Sequence, residues 1–417
     1  MPDIALYGCT SRPLAGYLKA LGVLRLVAGQ RDPEARGRWA AGVFELRSEL
    51  DGEGLERFLL ADYRPSPVVS PWNGTSGFYP KDISQGKTLR AIESSASERF
   101  QPLRSAISAG RAALDRLGIS DKLDKKAKPE LLRELRATLD DAAVEWLDCA
   151  VIVTGEDTAF PPLLGSGGND GHYEFSANFR AALLQVFDEA GAPRPPARAQ
   201  LAAALERGSA TLDSAGGSHI VRDGSPTSSA SGDKDNLANP WELLLAIEGA
   251  LLLTAGAARR HAAALGGTVS APFTTVASAA GYGTAVGGEA GRGELWLPIW
   301  HGWATHREIA NLAREARMGP RAAASTRPAR QGRSASRAES PRSSAWRCSS
   351  GPASPAWPCP PGRWRCATFR GRGSSTESTD GSVRCCDSHA TGPRRSAWRW
   401  QASSARKIGR ASCRERV

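Results

Sequence analysis

The spacing of hydrophobic positions changes period several times along the chain. Ile4 to Tyr7 is a short apolar run that predicts a strand, and Ser11 with Pro13 marks a helix start ahead of Leu14, Leu18, Leu21 and Leu24. Phe44 and Leu46 alternate with Val43, Glu45 and Arg47 as a second strand, so the opening reads β, α, β. Helical spacing returns at Leu103, Ile107, Leu114 and Leu117 and again from Glu130 to Trp146, with the charged stretch SDKLDKKAKPE between them as a solvated connection. Ala150 to Val153 predicts a buried strand.

The next stretch, PPLLGSGGNDGHYEFSANF, is a glycine-dense loop at Gly165, Gly167, Gly168 and Gly171, followed by a helix through Leu183 and Val186. Residues 208–238 are rich in Ser, Gly and Asp and read as a mobile loop. From Asn239 the pattern recovers with NPWELLLAIEGALLL as a buried helix, PFTTVASAAGYGTA as a loop, then GELWLPIW, and finally the helix HREIANLAREARM. The predicted class is α+β, with mixed helices and short sheets in the body. Residues 1–150 are expected to form an N-terminal domain with an aromatic loop, 151–318 a second α+β region, and 319–417 a disordered tail.

Charge changes this picture only when it is divided by region. The chain of 417 residues carries a formal net charge of +11, but 20 Lys+Arg against 5 Asp+Glu fall after Met318, which leaves 34 against 38 before it. The basic balance that would suggest phosphate binding over the whole chain therefore belongs to the tail. Between Gly319 and Arg406 there is no Leu, Ile or Met, and Val383 and Phe369 with five Trp are the only large core formers. Such a segment buries too little apolar surface to offset chain entropy. Its Arg, Ser, Ala, Pro, Gly, Trp and Cys are what a GC-rich gene gives out of frame, and its end, KIGRASCRERV, is the translation of a common sequencing adapter. The competing reading is an Arg-rich RNA-binding arm.

Cys9 and Cys149 in the body are too few and too far apart for a disulfide framework. No cationic and apolar leader opens the chain, and the apolar stretch from Leu243 to Ala258 is broken by Glu248 and Gly249, so a cytoplasmic protein without a membrane span is expected.

Candidate chemistry concentrates in two loops. PWNGTSGFYPKD offers Trp72, Phe78 and Tyr79 for stacking on bases, Asn73 beside the turn former Gly74 for base edges, and Lys81, Lys87 and Arg90 for phosphates. An aromatic loop that covers a core fits the same residues. In GSGGNDG, successive glycines at Gly165, Gly167 and Gly168, with Asn169 and Asp170, would let backbone N–H groups converge on an anion. A tight glycine-requiring turn is the competing reading.

Other motifs fail on spacing. SQGKT lacks the glycine a nucleotide P-loop needs five positions before its Gly-Lys, because Lys81 stands there. Neither GSGGNDG nor GYGTAVGG fits the dinucleotide fingerprint. His172, His219, His261, His301 and His306 show no ligand spacing with either body cysteine, so no metal, cofactor or catalytic residue is expected.

Taken in order, GCT with PLAGYLKALGVLRLV, PWNGTSGFYPKD, LLGSGGNDGHYEFSANF, NPWELLLAIEGALLL, and AGYGTA with GELWLPIW resemble the large subunit of subtype I-G (formerly I-U) CRISPR effector complexes, the Csx seventeen family. The resemblance covers residues 1 to 317, and family members run on well beyond that point. It implies a noncatalytic, Cas-eight-like subunit of an RNA-guided surveillance complex that binds guide RNA and target DNA. Such a subunit helps to recognise the flanking motif and to stabilise the opened duplex in antiviral defence. It further implies other effector subunits as partners and a helicase-nuclease recruited to the complex. The alternative reading of the residues is an enzyme or nucleotide-binding protein that uses GSGGNDG as an anion site.

Overall fold

A computed structural model of the chain describes residues 1–121, 123, 127–154, 157–164, 169–170, 173–208, 213–214, 237–258, 268–278, 281–283, 293–316 and 364–370. The first elements are β1 (Asp3–Thr10), α1 (Leu14–Gln30), β2 (Arg36–Ala40), β3 (Val43–Arg47), α2 (Gly52–Arg57), α3 (Ile83–Ser94), α4 (Gln101–Arg116), α5 (Ala127–Thr138) and α6 (Asp141–Ala150). Next come β4 (Ile152–Thr154), β5 (Asp157–Ala159), β6 (Asn169–Asp170), β7 (Tyr173–Glu174), α7 (Phe175–Val186), α8 (Ala197–Glu206), β8 (Asp213–Ser214), β9 (Leu237–Ala238) and α9 (Pro240–Ala250). The remainder are β10 (Gly256–Ala258), β11 (Thr268–Ser270), β12 (Thr274–Ser278), β13 (Gly281–Gly283), β14 (Gly293–Trp300), β15 (Ala304–Thr305), α10 (His306–Glu315) and β16 (Trp364–Arg370). The α+β class expected from the sequence is what the structure has.

The N-terminal sheet has the order β1-β3-β2-β15. β3 runs antiparallel to both β1 and β2, so β1 and β2 are parallel with β3 between them, a split β-α-β arrangement. β2, in which Gly37 and Trp39 are the buried alternate positions, extends the expected β, α, β opening by one strand. Its five residues hold one large apolar side chain, too weak a period to stand out. The two-residue turn Ala41-Gly42 joins it to β3 with φ of 50° and 83°, the double positive φ of a type I′ hairpin.

α1 lies across the inner face of this sheet. Tyr17 stacks on Trp39 with centroids 5.1 Å apart, and Trp300 meets both rings edge-on. On its other side α1 packs against α9, so both helices are buried almost all round. The approach is close enough that a Cβ on Gly22 would stand 2.0 Å from the Leu245 carbonyl oxygen. Because α1 and α9 share one core, the boundary read at residue 150 falls inside it, between α6 and β4.

Two local expectations are corrected. The single helix expected from Glu130 to Trp146 is two, α5 and α6, because Asp140 caps a new start by accepting from the Ala143 amide at 2.8 Å. PFTTVASAAGYGTA is not wholly a loop: β12 and β13 pair through it, from Val276↔Gly283 to Ser278↔Gly281. In the tail one segment is described, β16, which pairs antiparallel with β14 from Glu294↔Arg370 to Trp300↔Trp364. Of 208–238, β8 and β9 pair as a two-stranded ladder, and most of the segment lies outside the described residues.

Candidate nucleic-acid interface

The loop Val69–Asp82 is closed by its own backbone and by its neighbours. The Trp146 indole donates to the Val69 carbonyl at 2.9 Å, and the Tyr79 hydroxyl donates to Pro71 at 2.7 Å. The Asn73 amide donates to Ser70, and the Ser76 amide to Asn73. Gly77 has φ +88°, and a Cβ there would stand 2.6 Å from the Gln85 carbonyl oxygen, so glycine is what lets the loop fold down onto α3. Its amide donates to the Asp82 carboxylate at 2.7 Å.

Arg180 of α7, wholly buried, donates to the Ser76 carbonyl and to the Ser176 hydroxyl. It ties this loop to the helix that follows the glycine loop. No sequence signal marked it, since a lone arginine in a helix ordinarily reads as solvated.

This geometry corrects the expectation of base stacking. Trp72, Phe78 and Tyr79 are all buried, so their ring faces are spent on the core rather than open to a base. Phe78 packs where a Cβ on Gly110 would come within 3.0 Å of its ring, and Arg111 lies over its face at 5.6 Å. Asn73 is buried as well, and Gly74 is half-buried in the turn. The reading of this motif as a loop that covers a core accounts for its aromatics.

The basic residues remain outside. Lys81 is exposed and paired with Asp121 at 2.6 Å, which neutralises it. Lys87 and Arg90 are exposed on α3, one turn apart, while Gly86, Leu89 and Ile92 bury the opposite face. Neither has an ion-pair partner among the described residues. They line a shallow cleft of about 510 Å³ with Ala91, Glu93 and Ser94. Glu93 is held by a two-pronged pair with Arg111 at 2.6 and 2.9 Å, so the local balance is left to the two cations.

Gly165, Gly167 and Gly168 lie outside the described residues. Asn169 and Asp170 form β6, pairing with Glu174 and Tyr173 of β7 immediately before α7. α7 packs against α3, so β6 and β7 lead directly into a helix that contacts the cationic one.

Burial pushes the Cys9 thiol up to about 12, which removes its nucleophilic thiolate at neutral pH. Among the described residues no group of three His, Cys, Asp or Glu side chains is arranged to hold a metal ion. Likewise, no helix among them is long and apolar enough to cross a membrane. No protein-family model matches the chain, and no curated protein matches it either.

Proposed function

We propose that this protein is a noncatalytic nucleic-acid-binding subunit, the large subunit of an RNA-guided surveillance complex of subtype I-G. In that role it contributes to guide RNA binding, flanking-motif recognition and target DNA unwinding, beside other effector subunits and a recruited helicase-nuclease, in the cytoplasm. The order of motifs along residues 1–317 supports the reading. The observation that carries it is the pair Lys87 and Arg90, exposed on α3 without an acidic partner among the described residues, in a body that is otherwise slightly acidic. Cations without an ion pair among the described residues, held on a well-packed helix, suit phosphate contacts, because no such pair has to be broken and little backbone order has to be gained on binding.

Sequence readout then belongs to the base-paired guide, and the protein supplies backbone contacts. Filter binding of the full chain to single-stranded RNA and to duplex DNA tests the proposal. Retention that falls steeply as salt rises is expected, because phosphate contacts release counterions. Absence of retention at low salt contradicts it.

A further inference from the structure

α3 turns Gly86, Leu89 and Ile92 to the core. At about 100° per residue, Ile83, Lys87, Arg90 and Ser94 fall within about 60° of one another on the outer face, and all four are exposed. They form one row along the helix axis, with Lys87 about 6 Å and Arg90 about 10 Å beyond Ile83.

Ile83 is the odd member of this row. At 67% it is the most exposed of the large apolar side chains among the described residues, ahead of Met1 and Tyr7. A surface isoleucine standing by itself is ordinary, but this one lies in line with two cations. The carboxylates close to the row are engaged. Asp82, which precedes the helix, accepts from the Gly77 amide at 2.7 Å, Glu93 is held by Arg111, and the first turn of α3 has no acidic residue. A phosphate chain laid along the row therefore meets no free carboxylate of this helix or its cap.

The positions along the row suit different parts of a nucleotide. Lys87 and Arg90 lie about 4.5 Å apart along the axis, which sets them beside neighbouring phosphates of one strand rather than across a major groove about 12 Å wide. The Ile83 side chain has no charge and no hydrogen-bonding group, so a phosphate gains nothing from it. What it can cover is the flat apolar face of a base. In a duplex those faces are spent on the stack, and only base edges and backbone reach outward. In a single strand they are open, and contact with them tolerates any sequence because every base has such a face.

We propose that the outer row of α3 takes a single strand in preference to a duplex, with neighbouring phosphates at Lys87 and Arg90 and the face of the next base against Ile83. This preference rests on the nucleic-acid reading of α3 above, and it adds an apolar contact that the two cations do not require, so each can fail separately.

Fluorescence anisotropy of the full chain, parent and with Ile83→Ala or Ile83→Leu, tests it on three probes. These are an oligothymidylate, an abasic deoxyribose-phosphate strand of the same length, and a blunt duplex. The parent is expected to bind the thymidylate about fivefold more tightly than the abasic strand, as burial of part of an isoleucine side chain supplies. Ile83→Ala should lose that margin with the salt dependence unchanged, whereas Ile83→Leu should keep most of it. Equal affinity of the parent for the two strands, or a margin that survives Ile83→Ala, overturns the base contact. An equal loss on the duplex in Ile83→Ala overturns the preference for a single strand. Failure of the parent to bind any probe at low salt is a distinct result, which removes the nucleic-acid reading and this preference with it.

Discussion

Gly22 of α1 and Gly249 of α9 meet backbone to backbone: a Cβ on Gly249 would stand 1.9 Å from the Leu18 carbonyl oxygen and 2.8 Å from the Gly22 nitrogen. The crossing joins two layers of the core, since α1 carries the N-terminal sheet on one side and α9 on the other. Gly249→Ala is therefore expected to destabilise by about 3 kcal/mol or more, at the upper end of overpacking costs. Gly29→Ala, at an open position of α1, is expected to be neutral or mildly stabilising. Urea denaturation of both variants checks the contrast.

Glu248, wholly buried, accepts from Arg25 at 2.7 Å, from the Tyr63 hydroxyl at 2.8 Å, and from the Ser66 amide and hydroxyl at 2.9 and 2.6 Å. Arg25 also holds Glu145 at 2.8 Å. Glu248→Ala leaves the guanidinium without its buried counter-charge and should cost about 3–5 kcal/mol. Glu248→Gln, which keeps one acceptor oxygen, should cost less. Equal losses for the two, measured by chemical denaturation, would show that the charge accounts for the whole effect, and an unchanged Glu248→Gln would show that it contributes nothing.

His306 opens α10 beside a cleft of about 220 Å³, facing Arg25 of α1 and Asp141, Glu145 and Asp148 of α6, with Arg314 of its own helix. Its Nε2 is buried without a hydrogen-bond partner among the described residues. Burial, and then the Arg25 charge, hold its pKa below the usual value of 6.5. The folded state therefore favours the neutral ring, and the unfolded chain binds the proton more readily. Stability from this group is complete above pH 6.5 and is lost as pH falls through 6.5 toward the lowered folded value. Unfolding midpoints in urea across that range should drop for the parent chain and drop less for His306→Gln. Parallel curves would contradict the assignment.

Much of this fold is legible in the sequence wherever one period dominates. β1, α1, β3, α9 and α10 follow from apolar spacing, and in the structure a Thr305–Glu308 capping box closes the start of α10. What escaped depends on contacts far apart in the chain. The run Arg36–Ala40 becomes a strand because Trp39 finds Tyr17 and Trp300, and β12 pairs with both β13 and β14 although the composition around it is that of a loop. For the candidate site, composition identified the residues but not their exposure. Trp72, Phe78 and Tyr79 turn inward because Gly77 and Gly110 leave room for the loop to close, whereas Lys87 and Arg90 turn outward on the polar face of α3.

Lys81 separates net charge from available charge. Its pair with Asp121 is exposed on both sides and contributes about 0–1 kcal/mol, so Lys81→Ala should leave stability unchanged. Its effect on nucleic-acid affinity should be smaller than that of Lys87→Ala or Arg90→Ala. A larger loss for Lys81→Ala, read by fluorescence anisotropy, would move the contact surface toward the loop end of α3.

The most direct measurement of the central claim is anisotropy titration of single-stranded RNA and duplex DNA with the parent chain and with Lys87→Glu combined with Arg90→Glu. If α3 contacts phosphates, the double variant binds more weakly, and the dependence of log affinity on log salt is shallower by about two, one per lost phosphate contact. Its urea midpoint should match the parent's, because both side chains are exposed. Unchanged affinity and salt slope in a folded double variant would contradict the assignment of α3 as the nucleic-acid surface.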